Sequence, residues 1–320
     1  EKIDFDYEKK DQIEIIDKSE TINKFNNNNS LSDLNNAFTN KSFKILVKNG
    51  YQLVKPLIIY HTTNSNIWSK SINLRLDFEL CKDSSLRLID LYNDTSEKNF
   101  LNIFYNFDLK ENAVLKNYKV DKLENKNIKY SFNNIEQDKN SISETFILSS
   151  GSNFFKNEIN CNLKGGYSSA FVNGILSLNN DKHHEIRTII NHLTENTKSY
   201  QLIKSVLDDN SKSVYQGKIF VNSEAQKTDG YQLSKAILLN KDSEFNAKPE
   251  LEIYADDVKC SHGSASGSLS EDSIFYLMSR GLNYQQSREL LINGFLLDVV
   301  ENITDSEIKN LIKNMIGIKE

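Results

Sequence analysis

Lys248 to Leu282 reads KPELEIYADDVKCSHGSASGSLSEDSIFYLMSRGL, and this stretch decides the fold. Leu251, Ile253 and Ala255 alternate with Glu252, Tyr254 and Asp256, the period-two pattern of a strand with one buried face. The acidic pair Asp256-Asp257 leads into Cys260-Ser261-His262-Gly263. Gly263-Ser264-Ala265-Ser266-Gly267 are small residues at which the backbone can turn freely. Ser270 reads as an N-cap, with Glu271 and Asp272 in the first turn, where negative charge suits the helix dipole. Ile274, Leu277 and Met278 share one face of that helix, and Gly281 stops it. β structure therefore ends here, a Cys/His pair sits at the junction, and helices take over.

Working outward, the chain from Phe43 to about Val258 is β in pattern. Ile72, Leu74, Leu76, Phe78 and Leu80 alternate against polar neighbours. Shorter alternations recur at Ile142 to Leu148, Ile159-Cys161-Leu163, Ile186-Thr188-Ile190 and Ile219-Val221. The absence of helical spacing between the strands argues against a Rossmann or TIM arrangement, and a β-sandwich and a solenoid both fit. Downstream, Asn283 caps a helix with Leu290, Leu291, Phe295, Val299 and Ile303 on its apolar side. Thr304-Asp305-Ser306-Glu307 reads as a capping box opening another, which carries Ile308, Leu311, Ile312 and Met315. These amphipathic helices must bury their apolar faces against the end of the β structure or a partner. Upstream, residues 1–42 form a polar N-terminal segment with a short helix opening at Ser30 or Ser32. The division is thus 1–42, a β core over 43–267, and a helical subdomain over 268–320.

Composition narrows the function. The chain has 320 residues, 38% of them hydrophobic, with 17 Phe and 14 Tyr, enough for a large core. A net charge of −5 offers no electrostatic case for nucleic acid or an anionic membrane. The abundant Lys and Asn read as base-composition bias. Cys81, Cys161 and Cys260 form no CxxC, which argues against a disulfide scaffold or a self-contained zinc site. No apolar run reaches the ~18 residues of a membrane span, and EKIDFDYEKK is unlike a signal peptide, so a cytoplasmic location is expected.

Chemistry concentrates at Cys260 and His262. Thiolate and imidazole are ligands that iron and iron–sulfur clusters prefer, and residues two apart on an extended segment point the same way. Two ligands cannot hold a cluster that takes four. The bland reading makes Cys260 a small core residue and pairs His262 with the Asp256-Asp257 region. That acidic pair suits an interface or a turn better than general acid/base work. His183, His184 and His192 invite a metal reading, which the divergence of strand neighbours disfavours. There is no GxxxxGK[ST] and no G-x-S-x-G, so neither nucleotide binding nor a serine nucleophile is expected.

LEIYADDVKCSHG with FYLMSRGL, and YQGKIFVNSEAQKTDGYQLSKAILL upstream at Tyr215 to Leu239, resemble the SufB/SufD family of iron–sulfur cluster assembly proteins. Cys260 immediately before Ser-His-Gly is similar to the SufD branch. The absence of a cysteine downstream speaks against the SufB scaffold branch. The resemblance implies a right-handed parallel β-helix and a non-catalytic subunit that pairs with SufB or with a second copy of itself. It also implies docking of the SufC ABC ATPase on the helical region, where Phe275, Tyr276 and Arg280 are candidate contacts. Tyr276 and Arg280 are open between contact and packing, and Phe275 reads as core. The resemblance implies transient iron or a nascent cluster at a subunit interface around His262 and Cys260, exposed when nucleotide-driven SufC dimerisation moves the paired β-helices. The rival from another class is a β-helical polysaccharide-active enzyme with carboxylates in a groove. Such enzymes are usually secreted, and the missing leader signal counts against it.

Overall fold

The computed structural model describes residues 11–19, 29–39, 41–62, 69–92 and 98–318. Its first half contains β1 (Ile13–Asp17), α1 (Ser30–Phe38), β2 (Lys41–Val47), β3 (Leu57–His61), β4 (Ser71–Leu80), β5 (Ser85–Tyr92), β6 (Phe100–Leu109), β7 (Val114–Asp121), β8 (Asn125–Gln137) and β9 (Ile142–Ser149). There follow β10 (Ser152–Leu163), β11 (Ser169–Leu178), β12 (His183–His192), β13 (Lys198–Leu207), β14 (Lys212–Val221), β15 (Thr228–Leu238), β16 (Glu244–Ile253) and β17 (Val258–Gly267). Three helices close the chain: α2 (Glu271–Ser279), α3 (Tyr284–Glu301) and α4 (Ser306–Ile316).

Two sheets share these strands. β1 and the even strands β2 to β16 build one, and the odd strands β3 to β17 build the other. Every pairing is parallel except β1 with β2. The chain thus coils, laying one strand on each sheet per turn, and the architecture is a parallel β-solenoid rather than a sandwich. Because successive turns stack in register, each position forms a column. Ile45, Phe78, Phe107, Ile135, Cys161, Ile190, Ile219 and Leu251 make one such column through the first sheet. All but Leu251 are buried, and each buried large side chain contributes roughly 1.5–3 kcal/mol of hydrophobic stabilisation.

Some of the asparagines find a role at the corners. Asn112, Asn140, Asn180 and Asn196 occupy left-handed backbone positions in the turns, where Asn costs less than most residues. Asn140 donates to Asn112 (3.0 Å), and Asn112 to Asp83 (2.6 Å), so successive corners are stitched together.

The lumen also holds charge. Asp90 accepts from Lys119 Nζ (2.7 Å) and Tyr105 Oη (2.5 Å) and meets His61 Nε2 (2.5 Å). Burial pushes the Asp90 carboxyl up, but the Lys119 ammonium and His61 together hold it well below the usual range. Lys129 pairs with Asp121 (2.9 Å), and both are buried. No periodicity argument flags these residues, since each occupies a position that the pattern reserves for an apolar side chain.

Several expectations need correction. Gly263 to Gly267 do not turn; they continue β17, so the Cys/His pair lies inside a strand. A strand, β1, stands in the N-terminal segment that read as polar and helical. The short helix does open at Ser30, capped by Asn29, but most of the asparagine run before it lies outside the described residues. The C-terminal helices pack on the side of the solenoid rather than its end. Leu296, Val299, Val300, Ile308 and Ile312 bury against Ile89, Val120, Leu148, Ile175 and Leu202 on the outer face of the second sheet. Leu290, expected on the buried side of α3, is exposed. Asp305, not Thr304, caps α4, accepting from the Glu307 and Ile308 amides while pairing with Arg87 (2.5 Å). Among the described residues no helix is long and apolar enough to cross a membrane.

Candidate functional site

β16 and β17 are the last strands of their sheets, each paired on one side only. Among the described residues the solenoid therefore ends here in two unpaired strand edges. Pro249 fits such a place, because an edge strand tolerates a residue without an amide hydrogen.

Register shows what the open end presents. Leu88, Asn117, Thr145, Val172, Gln201, Gln232 and His262 form one column of the second sheet. The first six are buried lumen residues. His262 occupies the same inward-facing position and is exposed because no further turn lies above it. Cys260 ends the neighbouring column through Ser143, Ala170, Ser199 and Gly230. Its thiol packs near Gly230 and Ile219 among Val221, Ala255 and Val258, and burial pushes its pKa up, holding it as a thiol. Cys260 and His262 thus share one face, about 7 Å apart along the strand.

The His262 ring has no hydrogen-bond partner among the described residues, so it is not tied to the acidic pair. Asp256 and Asp257 lie in the bend between β16 and β17 rather than on a strand. There the Asp257 amide donates to Gln226 Oε1 (2.9 Å) and its carbonyl accepts from the Lys227 amide. Among the described residues no group of three or more His, Cys, Asp or Glu is placed to hold a metal ion.

The other histidines are structural. His184 is buried between Ser149 Oγ (2.8 Å) and the Ser152 carbonyl (2.7 Å), while its neighbour His183 faces outward beside Glu185 (3.1 Å). His192 is buried between Thr197 Oγ1 (2.8 Å) and Ser199 Oγ (2.9 Å). Burial lowers the pKa of both His184 and His192 to about 4, so each is neutral in the folded chain.

The second candidate group stands on α2. Phe275 is 74% exposed, which overturns its reading as core. Tyr276 is also exposed, and the Arg280 guanidinium sits 5.2 Å from its ring centroid. Ile274 alone of this helix is buried, so the face toward solvent is apolar and aromatic, continued by exposed Met278, Tyr284 and Leu290.

Residues 61–295 match the family model for "SUF system FeS cluster assembly, SufBD core domain". The chain is similar to the iron–sulfur cluster assembly protein SufD of Escherichia coli (strain K12), 29% identical over 280 residues, 85% of this chain and 65% of that protein. It is 43% identical over 77 residues to protein ABCI7, chloroplastic, of Arabidopsis thaliana, covering 24% of this chain and 16% of that one. A SufBD family protein of Synechocystis, slr0076, is 38% identical over 82 residues, covering 26% and 18%. The chain spans less than two thirds of the length of each of these relatives. With the family model spanning both sheets and reaching into α3, the chain belongs to the SufBD core family of the SUF iron–sulfur cluster assembly system and is of the SufD type.

Proposed function

We propose that this chain is a non-catalytic, cytoplasmic SufD-like subunit of a SufBCD-type complex, whose open end pairs with a SufB-like subunit or with a second copy of itself. His262 would then be a ligand for iron or a nascent cluster passing through that interface as cargo, with Cys260 beside it. The observation that carries this reading is the position of His262. It stands at an inward-facing position with no strand above it among the described residues, so a partner strand added to the edge of β17 would bury it and supply further ligands. Three free cysteines, none in a disulfide, suit a reducing compartment.

The exposed face of α2 and the adjoining start of α3 would dock the SufC-type ATPase. Nucleotide hydrolysis belongs to that partner, and in this reading its dimerisation moves the paired solenoids and opens the interface. The test is anaerobic reconstitution of the complex with the native chain and with His262→Ala. Both assemblies should form, and cluster absorbance should be lost only with the variant. Full cluster assembly by His262→Ala would remove the ligand role, and failure of the native chain to bind either partner would overturn the whole reading.

A further inference from the structure

Between the outer face of the second sheet and the turn joining α3 to α4 lies a cavity of about 350 Å³. That places it at the small end of ligand pockets, roughly 300–1,000 Å³. Four consecutive odd strands supply aromatic side chains to it: Tyr118 from β7, Phe146 from β9, Phe171 from β11 and Tyr200 from β13. Ile303, in the turn after α3, adds an apolar wall. The site lies on the flank of the solenoid and owes nothing to the open end.

The lining contains one ionisable carboxylate and no lysine, arginine or histidine. That carboxylate, Glu144, accepts the Thr304 hydroxyl (2.8 Å) and has no ion-pair partner among the described residues. Lys116 donates to the same hydroxyl (2.7 Å) from outside the lining, so it moderates the local negative charge without entering the cavity. Burial raises the pKa of Tyr118 and Tyr200, so both phenols stay neutral.

Aromatic walls around a carboxylate favour one kind of guest. An aromatic ring attracts a cation through its negative face, most strongly where water is excluded, and a weakly hydrated cation gives up little to enter. A compact ammonium is strongly hydrated and gives up more on entering among aromatic rings than a quaternary ammonium does. The latter demands no hydrogen bond from the polar side chains of the lining, Glu144, Asn173, Asn302 and Thr304 among them. An anion would meet Glu144. We propose that the cavity binds a small organic cation of the quaternary-ammonium class, its methyl groups among Tyr118, Phe146, Phe171 and Tyr200 and its charge near Glu144.

The test is protein-observed NMR titration of the full chain with tetramethylammonium and choline, run beside 3,3-dimethyl-1-butanol, the neutral isostere of choline. Saturable shifts confined to the cavity are expected with both cations, with the isostere weaker by about tenfold or more. Glu144→Gln should weaken choline several-fold at unchanged thermal stability, and Phe171→Ala with Tyr200→Ala should abolish binding. Should that pair disturb folding, Ile303→Trp fills the cavity instead and should block choline equally. Equal affinity for choline and its isostere would overturn the cation assignment. No saturable shift with any probe, or choline binding that survives Ile303→Trp, would overturn the site.

Discussion

His262 on β17 is in register with Gln232 on β15: one is exposed and the other wholly buried, though both occupy the same inward-facing position of the solenoid. The difference lies in what stacks above them, not in the residues. A surface histidine without partners contributes little to stability, whereas one hydrogen-bonded at both ring nitrogens in the lumen cannot be removed without leaving its partners unsatisfied.

Replacement experiments should separate the histidines on that basis. His262→Ala should leave the unfolding midpoint within the ±0.5 kcal/mol of an ordinary surface change. His184→Ala should cost about 1–3 kcal/mol, because Ser149 Oγ and the Ser152 carbonyl lose their partner in a buried site. Urea unfolding of the two variants beside the native chain checks both. A strongly destabilised His262→Ala would mean that the open end is already closed by contacts within the chain.

Stability should also fall with acid in a window that these buried rings define. Burial lowers the pKa of His184 and His192 to about 4 in the folded chain, against the ordinary 6.5 when unfolded. As pH drops below 6.5 the unfolded chain takes up protons that the folded chain refuses, so acid favours unfolding. Each ring removes up to about 1.4 kcal/mol per pH unit between those values. Their contribution is complete above about pH 6.5 and lost by about pH 4. Urea midpoints at pH 7, 5.5 and 4.5 should trace this slope, and His192→Gln should flatten it by about half. An unchanged slope in that variant would show that other groups control the transition.

The lumen pair Lys119–Asp90 gives a third expectation. Asp90→Leu leaves a buried ammonium without its counter-ion and removes the His61 and Tyr105 contacts, and should cost about 3–5 kcal/mol. Adding Lys119→Met to Asp90→Leu removes the stranded charge and should recover part of that loss, because replacing both partners by apolar groups avoids an uncompensated ion. Equilibrium denaturation of the single and double variants decides the matter. Additive losses would show that the two groups do not act as a pair.

How far these features were legible follows from the physics of each. Strand alternation in the stretches around Phe78, Cys161 and Ile219 is plain, because one face of each strand is buried in the lumen. Periodicity could not choose between sandwich and solenoid, since alternation reports burial and not which strand lies next door. The Cys260–His262 pair was visible as chemistry, but its place inside β17 was not. Gly263 to Gly267 carry the composition of a turn, and pairing with Leu233 to Ile237 overrides that local preference. Phe275 was misread because an aromatic residue on a short helix fits a core and a partner surface equally well, and only the neighbours of that helix decide. The cavity residues Glu144, Phe171 and Tyr200 are about thirty positions apart in sequence and meet only because the solenoid stacks them in one row. No local signal marks them.

The apolar face of α2 yields the last expectation. Phe275 and Tyr276 are 74% and 57% exposed, so charge can be placed there without disturbing the core. Phe275→Asp should leave the unfolding midpoint within about 0.5 kcal/mol, as for other surface substitutions. If this face is the one that meets the ATPase subunit, the same change should weaken that complex by about 2 kcal/mol or more, the cost of truncating a buried aromatic anchor and burying a carboxylate in its place. Arg280→Ala should weaken it less, because the guanidinium already stacks on Tyr276 and stands at the edge of the patch. Calorimetric titration of the ATPase subunit against native and variant chains measures both effects. A Phe275→Asp chain that binds with native affinity would free this surface from that role and leave the bare edges of β16 and β17 as the place where partners are met.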